Sequence, residues 1–447
     1  MIKSLLSFTL VLFLSIGIAL NAHAEDTCRA LPPKLLTKPL TLIELTDIAL
    51  SCNPSTRLAW AETKQSLANL GTAYSTLWPE LNGTGSLSYL NVGAVKTASA
   101  VSNSGSKGEL TYGPGISVSY LLWDFGVRVQ RIRAADFQVQ AARFSQNAAF
   151  QQIILQVEQV YYQLIGQKAS VVVNLESVRQ NQVNLAAAVA LREQGMAVIG
   201  DVYQAQSALS QAQLNLEQAE GTLKILQGQL ALALGVPMQT PLKLASLSEH
   251  VKTQDVLESV GELMEYAKEN RTDLLAAEAD VKAAEATLIA TGRQDWPTIE
   301  LNAGTQRAYS NNNLYNTHTN SVMLTLNIPI FSGFSQKYAV MQAQAQKEQA
   351  EAERDILSQQ IDLQVWQAYY ELKTAAQSIK TSQELLISSI QAAKQAYGQY
   401  RAGVGDILSV LTTQVAADNA RVQSIQAKLN WYTALAQFSY ALGKINV

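Results

Sequence analysis

The sequence contains one long segment twice. Residues 151–164 read QQIILQVEQVYYQL, and 208 residues later residues 359–372 read QQIDLQVWQAYYEL, with ten of 14 positions identical. The same offset places Trp123 on Phe331 and Gly195 on Gly403 without a gap. A repeat of this length predicts one structural unit that is used twice in the chain. Residues 25–258 would form the first copy, ending in a linker after 235, and residues 259–447 the second.

Both copies carry the pattern of a coiled coil. Apolar residues recur at spacings of four, three and four, which is the seam of packed helices: Ile153, Val157, Val160, Leu164 and Ile361, Val365, Ala368, Leu372. No proline occurs in 115–236 or 330–447. We therefore expect long helices at 127–194 and 335–402, each on the order of 100 Å. Shorter helices are expected at 202–234 and 407–442.

The pattern changes to strict alternation after Trp78-Pro79 and again after Trp296-Pro297. Alternation of apolar and polar residues is typical of strands with one apolar face. Two hairpins are predicted, at 80–123 and 298–331, with loops near 91–111 and 310–320. Gly113-Pro114-Gly115 is interpreted as a turn. Capping boxes at Thr41–Glu44 and Ser259–Glu262 are expected to start the helix that precedes each hairpin.

The N-terminus indicates export. Residues 1–24 combine Lys3, an apolar run and the small-residue cleavage site Ala22-His23-Ala24, as in a secretory signal peptide. No later segment has the 18 or more consecutive apolar residues of a spanning helix. Cys28 and Cys52 are the only two cysteines. In an oxidising compartment a disulfide between them is expected, and the alternative is that both are free thiols.

Composition argues against several classes of function. A net charge of -3 gives no basic surface for nucleic acid. His250 and His318 stand alone in the sequence, so no metal site is expected from histidine and cysteine. Gly113-Pro114-Gly115 lacks the strand-then-helix context of a phosphate loop. We expect a protein that is not an enzyme and has no cofactor.

The strand count has a geometric consequence. Four amphipathic strands are too few for a membrane barrel, which needs about eight or more. Open strand edges are not tolerated in lipid. Three copies would supply twelve strands, which is enough to close a barrel, and their long helices would surround the same axis. The expected fold class is therefore α+β, with four strands per chain in a trimeric twelve-stranded β-barrel continuous with a coiled-coil barrel of long helices.

These features resemble the TolC-like outer-membrane efflux family. The resemblance rests on the break at Asn53-Pro54, the two Trp-Pro exits, the turns at 122–126 and 330–334, and the repeat. It implies a homotrimer in outer-membrane lipid, with a helical tunnel in the periplasm. It also implies a periplasmic adaptor and an inner-membrane pump of the RND or ABC type. The function would be a passive exit for small molecules or secreted proteins.

In that family the helix–helix turns far from the membrane form a closed entrance. The resemblance places the gate at Asp201, Tyr400, Arg401, Asp406, Ser409 and Thr412. It places the adaptor contacts at Gly195, Met196, Ala402, Gly403 and Val404. Asp201 and Tyr400 match the family pattern, whereas Ser409 and Thr412 replace two acidic residues. A simpler interpretation is that Asp201 and Asp406 only cap helices.

One alternative belongs to another class of protein. A periplasmic coiled-coil scaffold or adaptor without a pore would account for the helices and the signal peptide. It would not account for four alternating strands placed similarly in both repeats.

Overall fold

A computed structural model describes residues 38–90, 109–245, 259–310 and 316–444. The signal peptide, Cys28, most of the linker and both hairpin tips lie outside the described residues. The elements in chain order are α1 (Leu42–Cys52), α2 (Pro54–Ser75), β1 (Glu80–Leu90), β2 (Glu109–Trp123), α3 (Val127–Glu193), α4 (Ile199–Leu234), α5 (Val260–Asn270), α6 (Thr272–Gly292), β3 (Thr298–Ser310), β4 (Thr317–Asn327), α7 (Ser335–Arg401) and α8 (Ile407–Ala441).

α1 and α5, the first helices of the two repeats, begin at the predicted capping boxes. Thr41 caps α1: its hydroxyl accepts from Glu44 N, and Glu44 Oε2 accepts from Thr41 N at 2.9 Å. Ser259 and Glu262 make the same two bonds before α5. Each pair satisfies amides that have no partner inside the helix.

Asn53 separates α1 from α2. Its amide nitrogen donates to the Ala233 carbonyl at 2.8 Å, and its Oδ1 accepts from Ser55 N at 2.8 Å. The side chain is buried. Pro54 has no amide hydrogen and begins the next helix, where that amide would be unpaired in any case.

The four strands form one antiparallel sheet in the order β1-β2-β3-β4. The second strand of the first hairpin pairs with the first strand of the second hairpin, from Thr111 opposite Ser310 to Trp123 opposite Ile299. Within the described residues, β1 and β4 each have a strand partner on one side only.

The pairing register sorts the side chains by face. Leu81, Val118, Ala303 and Val322 form one cross-strand row. The next residue on each strand gives the row Asn82, Ser117, Gly304 and Ser321 on the opposite face. Apolar residues on the first face are exposed, with Val322 79% and Leu87 75% accessible. The sheet therefore has one exposed apolar face and one polar face.

Two strand predictions were wrong. Gly113-Pro114-Gly115 is not a turn but lies inside β2, opposite Ser86, Gly85 and Thr84. A Cβ on Gly113 would lie 1.7 Å from the Arg307 carbonyl oxygen, so glycine is required there by close backbone approach. β4 ends at Asn327 although alternation continues to Ile330, because Pro329 cannot donate to a ladder.

The chain divides into two compact units. One contains the described parts of Met1–Leu58, Ala149–Met264 and Gln364–Val447, and its main core joins α1, α3 and α4 through Leu45, Val157 and Leu230. The other contains Ala59–Ala148 and Glu265–Leu363, including the sheet. In this second unit Asp124 accepts from the backbone amides of Gly126 and Arg128 at 3.1 and 2.8 Å, which starts α3.

Candidate functional site at the helix turns

The candidate site consists of the two turns that join α3 to α4 and α7 to α8. Gly195 and Gly403 end the long helices with φ values of 72° and 75°. Met196 N donates to Leu191 O at 2.9 Å, and Val404 N donates to Gln399 O at 3.1 Å. These are the bonds of a Schellman end, in which glycine adopts the left-handed conformation at low cost. The two turns therefore have the same backbone construction 208 residues apart.

A small apolar core lies beneath the turns. Its buried members are Ala396, Tyr400, Ile407, Val410 and Leu411, and Ala187, Leu191 and Ala208 pack against it. The core thus draws on α3, α4, α7 and α8. Ile407 was not among the predicted site residues, although its spacing from Val410 and Leu411 is that of one helix face.

Tyr400 is the one buried residue of this core that has a polar group in its side chain. Its side chain is 3% exposed, and within the described residues its hydroxyl has no hydrogen-bond partner. Burial raises the pKa of Tyr400, and the negative charge of Asp201 raises it further. The charge of Asp201 therefore acts on Tyr400, but no hydrogen bond joins the two side chains. Their role in a gate stays a prediction.

The two aspartates have different roles. Asp406 is the N-cap of α8, and its Oδ1 accepts from Ser409 N at 2.6 Å. Asp201 is not a cap, because α4 begins at Ile199, three residues before the predicted start. Asp201 lies in the first turn, and its Oδ2 accepts from Val198 N at 3.4 Å. In this position the negative charge of Asp201 stabilises the helix, because the amino end of a helix carries a partial positive charge.

The remaining predicted residues are not brought into the core. Arg401 is exposed, and its side chain makes no hydrogen bond or ion pair with another residue in the part of the chain that the structure describes. Thr412 donates back to the Leu408 carbonyl at 2.8 Å, and Ser409 is half-buried. The predicted adaptor contacts Gly195, Met196, Ala402, Gly403 and Val404 are all exposed. They form the accessible surfaces of the two turns.

Only one of the two cysteines of the predicted disulfide, Cys52, is among the described residues. Cys52 is disulfide-bonded at the end of α1, whereas Cys28 lies outside the described residues. A bridge between them remains a prediction, which mass spectrometry of non-reduced peptides tests.

Neither a metal-binding cluster nor a membrane-spanning helix occurs among the described residues. No group of three or more His, Cys, Asp and Glu side chains is arranged to hold a metal ion. No described helix has a stretch both long and apolar enough to cross a membrane.

Comparison with known proteins identifies the family. The family model described as "Outer membrane efflux protein" matches residues 45–236 and 263–444. Protein CyaE of Bordetella pertussis (strain Tohama I) is 27% identical over 389 residues, covering 86% of this chain and 80% of CyaE. The "Proteases secretion protein PrtF" of Dickeya chrysanthemi is 24% identical over 252 residues, covering 54% of this chain and 53% of PrtF.

A solved structure shows the same fold. The CmeC outer membrane channel of Campylobacter jejuni superposes with a TM-score of 0.80 at 17% identity, covering 91% of this chain and 87% of CmeC. The resemblance noted from the sequence is confirmed by the two segments matched to one family. This chain belongs to the outer membrane efflux protein family.

Proposed function

We propose that this protein is the outer-membrane channel of a tripartite export system, through which small molecules or secreted proteins leave passively across the periplasm and outer membrane. The observation that carries the proposal is the sheet, with one exposed apolar face and one polar face. An exposed apolar surface of this extent is typical of contact with lipid or protein. The polar face suits a water-filled lumen.

The proposed assembly is a homotrimer built from two structural repeats per chain. β1 and β4 have free edges within the described residues, and lipid does not tolerate unpaired strand edges. Three sheets joined edge to edge give a closed twelve-stranded barrel. The repeat is supported by the two separate matches to one family model.

The proposed partners are a periplasmic adaptor and an inner-membrane pump of the RND or ABC type. The exposed turns that contain Met196 and Val404 offer apolar side chains on rigid Schellman ends. The gate would lie directly beneath them, at Tyr400 and Asp201. A partner that contacts the turns could then loosen the core around Tyr400.

A second candidate concerns the cargo. The similarity to PrtF, whose name states that it serves secretion of proteases, favours secreted proteins as cargo. In that case the protein would work with an ABC pump in type I secretion. Two measurements on a strain that lacks the gene distinguish the two cargoes. Loss of a secreted protein from the culture medium, measured by proteomics, supports secretion. Increased drug sensitivity without such a loss supports efflux.

The central test is pore formation. The purified protein, reconstituted in a planar lipid bilayer, is expected to give discrete single-channel currents, and the cell-derived protein is expected in the outer-membrane fraction. Heat-denatured protein is the control. A folded protein that remains in the periplasmic fraction and gives no currents would favour the scaffold or adaptor alternative and overturn the proposal.

A further inference from the structure

The charged side chains of the sheet are sorted by face. The apolar face carries the row Leu81, Val118, Ala303 and Val322. In the described strands, the acidic residues all lie on the opposite, polar face: Glu80, Glu109 and Glu300. The basic residues of the same strands, Arg307 and His318, both lie on the apolar face. Basic side chains thus occur on the surface where lipid is expected, and this position requires an explanation.

Arg307 and His318 are direct cross-strand partners on β3 and β4. They lie four residues further toward the hairpin tips than Ala303 and Val322, which is about 13 Å along the strands. Because side chains alternate between faces, this even spacing keeps all four residues on the apolar face. Both basic side chains are exposed. They form a cationic pair at one level of the sheet.

The first hairpin leaves open surface at the level of this pair. In its register, Gly85 of β1 lies opposite Pro114 of β2, and both residues are small. No described heavy atom would come within 4 Å of a Cβ added to Gly85. Nothing bulky on β1 or β2 therefore covers the surface beside the cationic pair.

The side chains beyond the pair are again of the kind that contacts membranes. Toward the hairpin tips, the next row on this face contains Leu87, Tyr112 and Tyr309. Leu87 is 75% exposed, and the two tyrosine rings have centroids 5.7 Å apart. Exposed tyrosines at this height are typical of the aromatic belt at the edge of a membrane barrel. Arg307 and His318 therefore lie within the surface expected to contact the membrane, near its boundary.

The pair has no anionic partner in the part of the chain that the structure describes. The Arg307 side chain makes no hydrogen bond or ion pair there. His318 Nε2 shares a hydrogen bond of 3.2 Å with Thr305 Oγ1, which leaves Nδ1 without a described partner. A cation that faces a membrane without a counter-charge is unfavourable. The missing partner is therefore expected to be an anion from outside the chain.

The residues between the pair and the apolar band have a matching chemistry. Thr305 and Asn320 are cross-strand partners one row nearer the helices, and both are exposed. The face thus presents apolar side chains, then a hydroxyl and an amide, and then the cationic pair. A lipid presents groups in the same order: acyl chains, their polar linkages and a charged headgroup.

We propose that Arg307 and His318 bind a phosphate group of a glycolipid in the outer leaflet of the outer membrane. The arginine fork binds two phosphate oxygens at once, and the imidazole adds one donor. Cross-strand partners have Cβ atoms about 5 Å apart, so both side chains reach one phosphate. The inference rests on the proposed function. If the helices lie in the periplasm, the hairpin tips face the cell exterior, where phosphorylated glycolipids form the leaflet.

Glycolipid binding tests the site. The folded protein, extracted from the outer membrane into detergent, is titrated with the diphosphorylated diglucosamine glycolipid of that leaflet, and bound molecules are counted by native mass spectrometry. We expect binding roughly tenfold tighter, or more, than for the same glycolipid without phosphates, because charge-assisted hydrogen bonds are formed. Arg307→Gln combined with His318→Gln should abolish this difference. Equal affinity of the parent for the two glycolipids overturns the proposal.

A charge swap is the matched control for net charge. Gln306→Arg combined with Arg307→Gln keeps the number of arginines and moves the guanidinium one residue along β3, to the polar face. The swapped protein should lose most of the preference for phosphorylated glycolipid. Parental preference in the swapped protein would show that net charge, not the position of Arg307, attracts the lipid, and it would overturn the assignment.

Two competitors identify the source of the phosphate. Excess inorganic phosphate and phosphatidylglycerol are both expected to leave glycolipid binding nearly unchanged. Displacement by inorganic phosphate would make this a site for a free anion, and displacement by phosphatidylglycerol would make it a general phospholipid site. Either result overturns the glycolipid assignment.

Single-channel currents separate this inference from the proposed function. The variant with Arg307→Gln and His318→Gln is expected to give the currents of the parent, which shows that its barrel has formed. A parent that forms pores but has no preference for the phosphorylated glycolipid overturns the lipid site and leaves the channel proposal standing. A parent that forms no pores and binds no lipid overturns both.

Discussion

The Asp406 carboxylate accepts a hydrogen bond of 2.6 Å from the backbone nitrogen of Ser409, and this bond begins α8. The carboxylate thereby satisfies one of the four amides that a helix leaves unpaired at its amino end. It also holds the direction in which the chain leaves the turn after Gly403. Asp406 thus has a structural role that is separate from any role in a gate.

Asp406→Ala is expected to destabilise the start of α8 by about 1 kcal/mol, because the cap bond is lost. Asp406→Asn keeps an acceptor oxygen and is the matched control, with a much smaller effect. Hydrogen exchange measured by mass spectrometry should show faster exchange of the amides in the first turn of α8 for the alanine variant only. Equal exchange in both variants would mean that charge, not capping, is the function of Asp406.

Gly403→Ala is expected to destabilise its turn by roughly 1–2 kcal/mol, because the left-handed conformation is unfavourable for a residue with a Cβ. No described heavy atom lies within 4 Å of the added carbon, so the cost is that of the backbone alone. Gly398→Ala is the control. Gly398 also has open space and lies inside helix α7, so alanine there should stabilise the helix by up to about 1 kcal/mol. Thermal unfolding should show opposite shifts, and shifts of the same sign would contradict the argument.

Tyr400→Phe combined with Arg401→Ser is expected to raise single-channel conductance while leaving the trimer nearly as stable as the parent. The Tyr400 hydroxyl has no partner among the described residues, so its removal from the core costs little. Arg401 is an exposed cation, and its loss removes only weak contacts at the turns. Tyr397→Phe with Arg192→Ser is the control, with conductance equal to the parent. A correctly inserted Tyr400 and Arg401 variant with parental conductance would move the gate to Val410 and Leu411.

Glu158→Gln is expected to stabilise the protein near pH 7 and to have little effect near pH 4. Burial of Glu158 raises the pKa of its carboxyl above the ordinary value of 4.5. In the unfolded chain this carboxyl loses its proton as the pH rises through 4.5, while the folded state still holds it. The folded state therefore loses stability from pH 4.5 up to the raised pKa, by about 1.4 kcal/mol for each unit of the rise in pKa.

Thermal unfolding between pH 4 and pH 8 measures this effect. The exposed Glu220→Gln variant serves as the control and should follow the parent. A pH dependence that is the same for Glu158→Gln and the parent would show that another group causes it.

The elements could be predicted from the sequence because helix period, strand alternation and proline positions are local signals. α3 and α7 depend on proline-free amphipathic sequence, and Thr41 and Ser259 are followed three residues later by glutamate. The role of Gly113 could not be predicted, because the Arg307 carbonyl that approaches it is distant in sequence. The start of α4 was placed too late because Val198 has no side-chain acceptor to mark a cap.

The positions of the two turns could be predicted from the sequence, but the packing of the residues around them could not. The glycines of the two turns mark where the long helices end, and both adopt positive φ. That Tyr400 is buried while Arg401 is exposed depends on how four helices converge, which no local pattern encodes. The core of Ile407, Val410 and Leu411 follows from the same convergence.

The two open edges of the sheet have a consequence for the biogenesis of the protein. Each edge strand is 11 residues long, and such an edge can pair with any extended chain that it meets. If the protein forms the proposed trimer, a newly exported copy is exposed to aggregation until its edge strands pair with those of neighbouring copies. The yield of folded protein should depend on the balance between the rate of delivery to the periplasm and the capacity of the chaperones there.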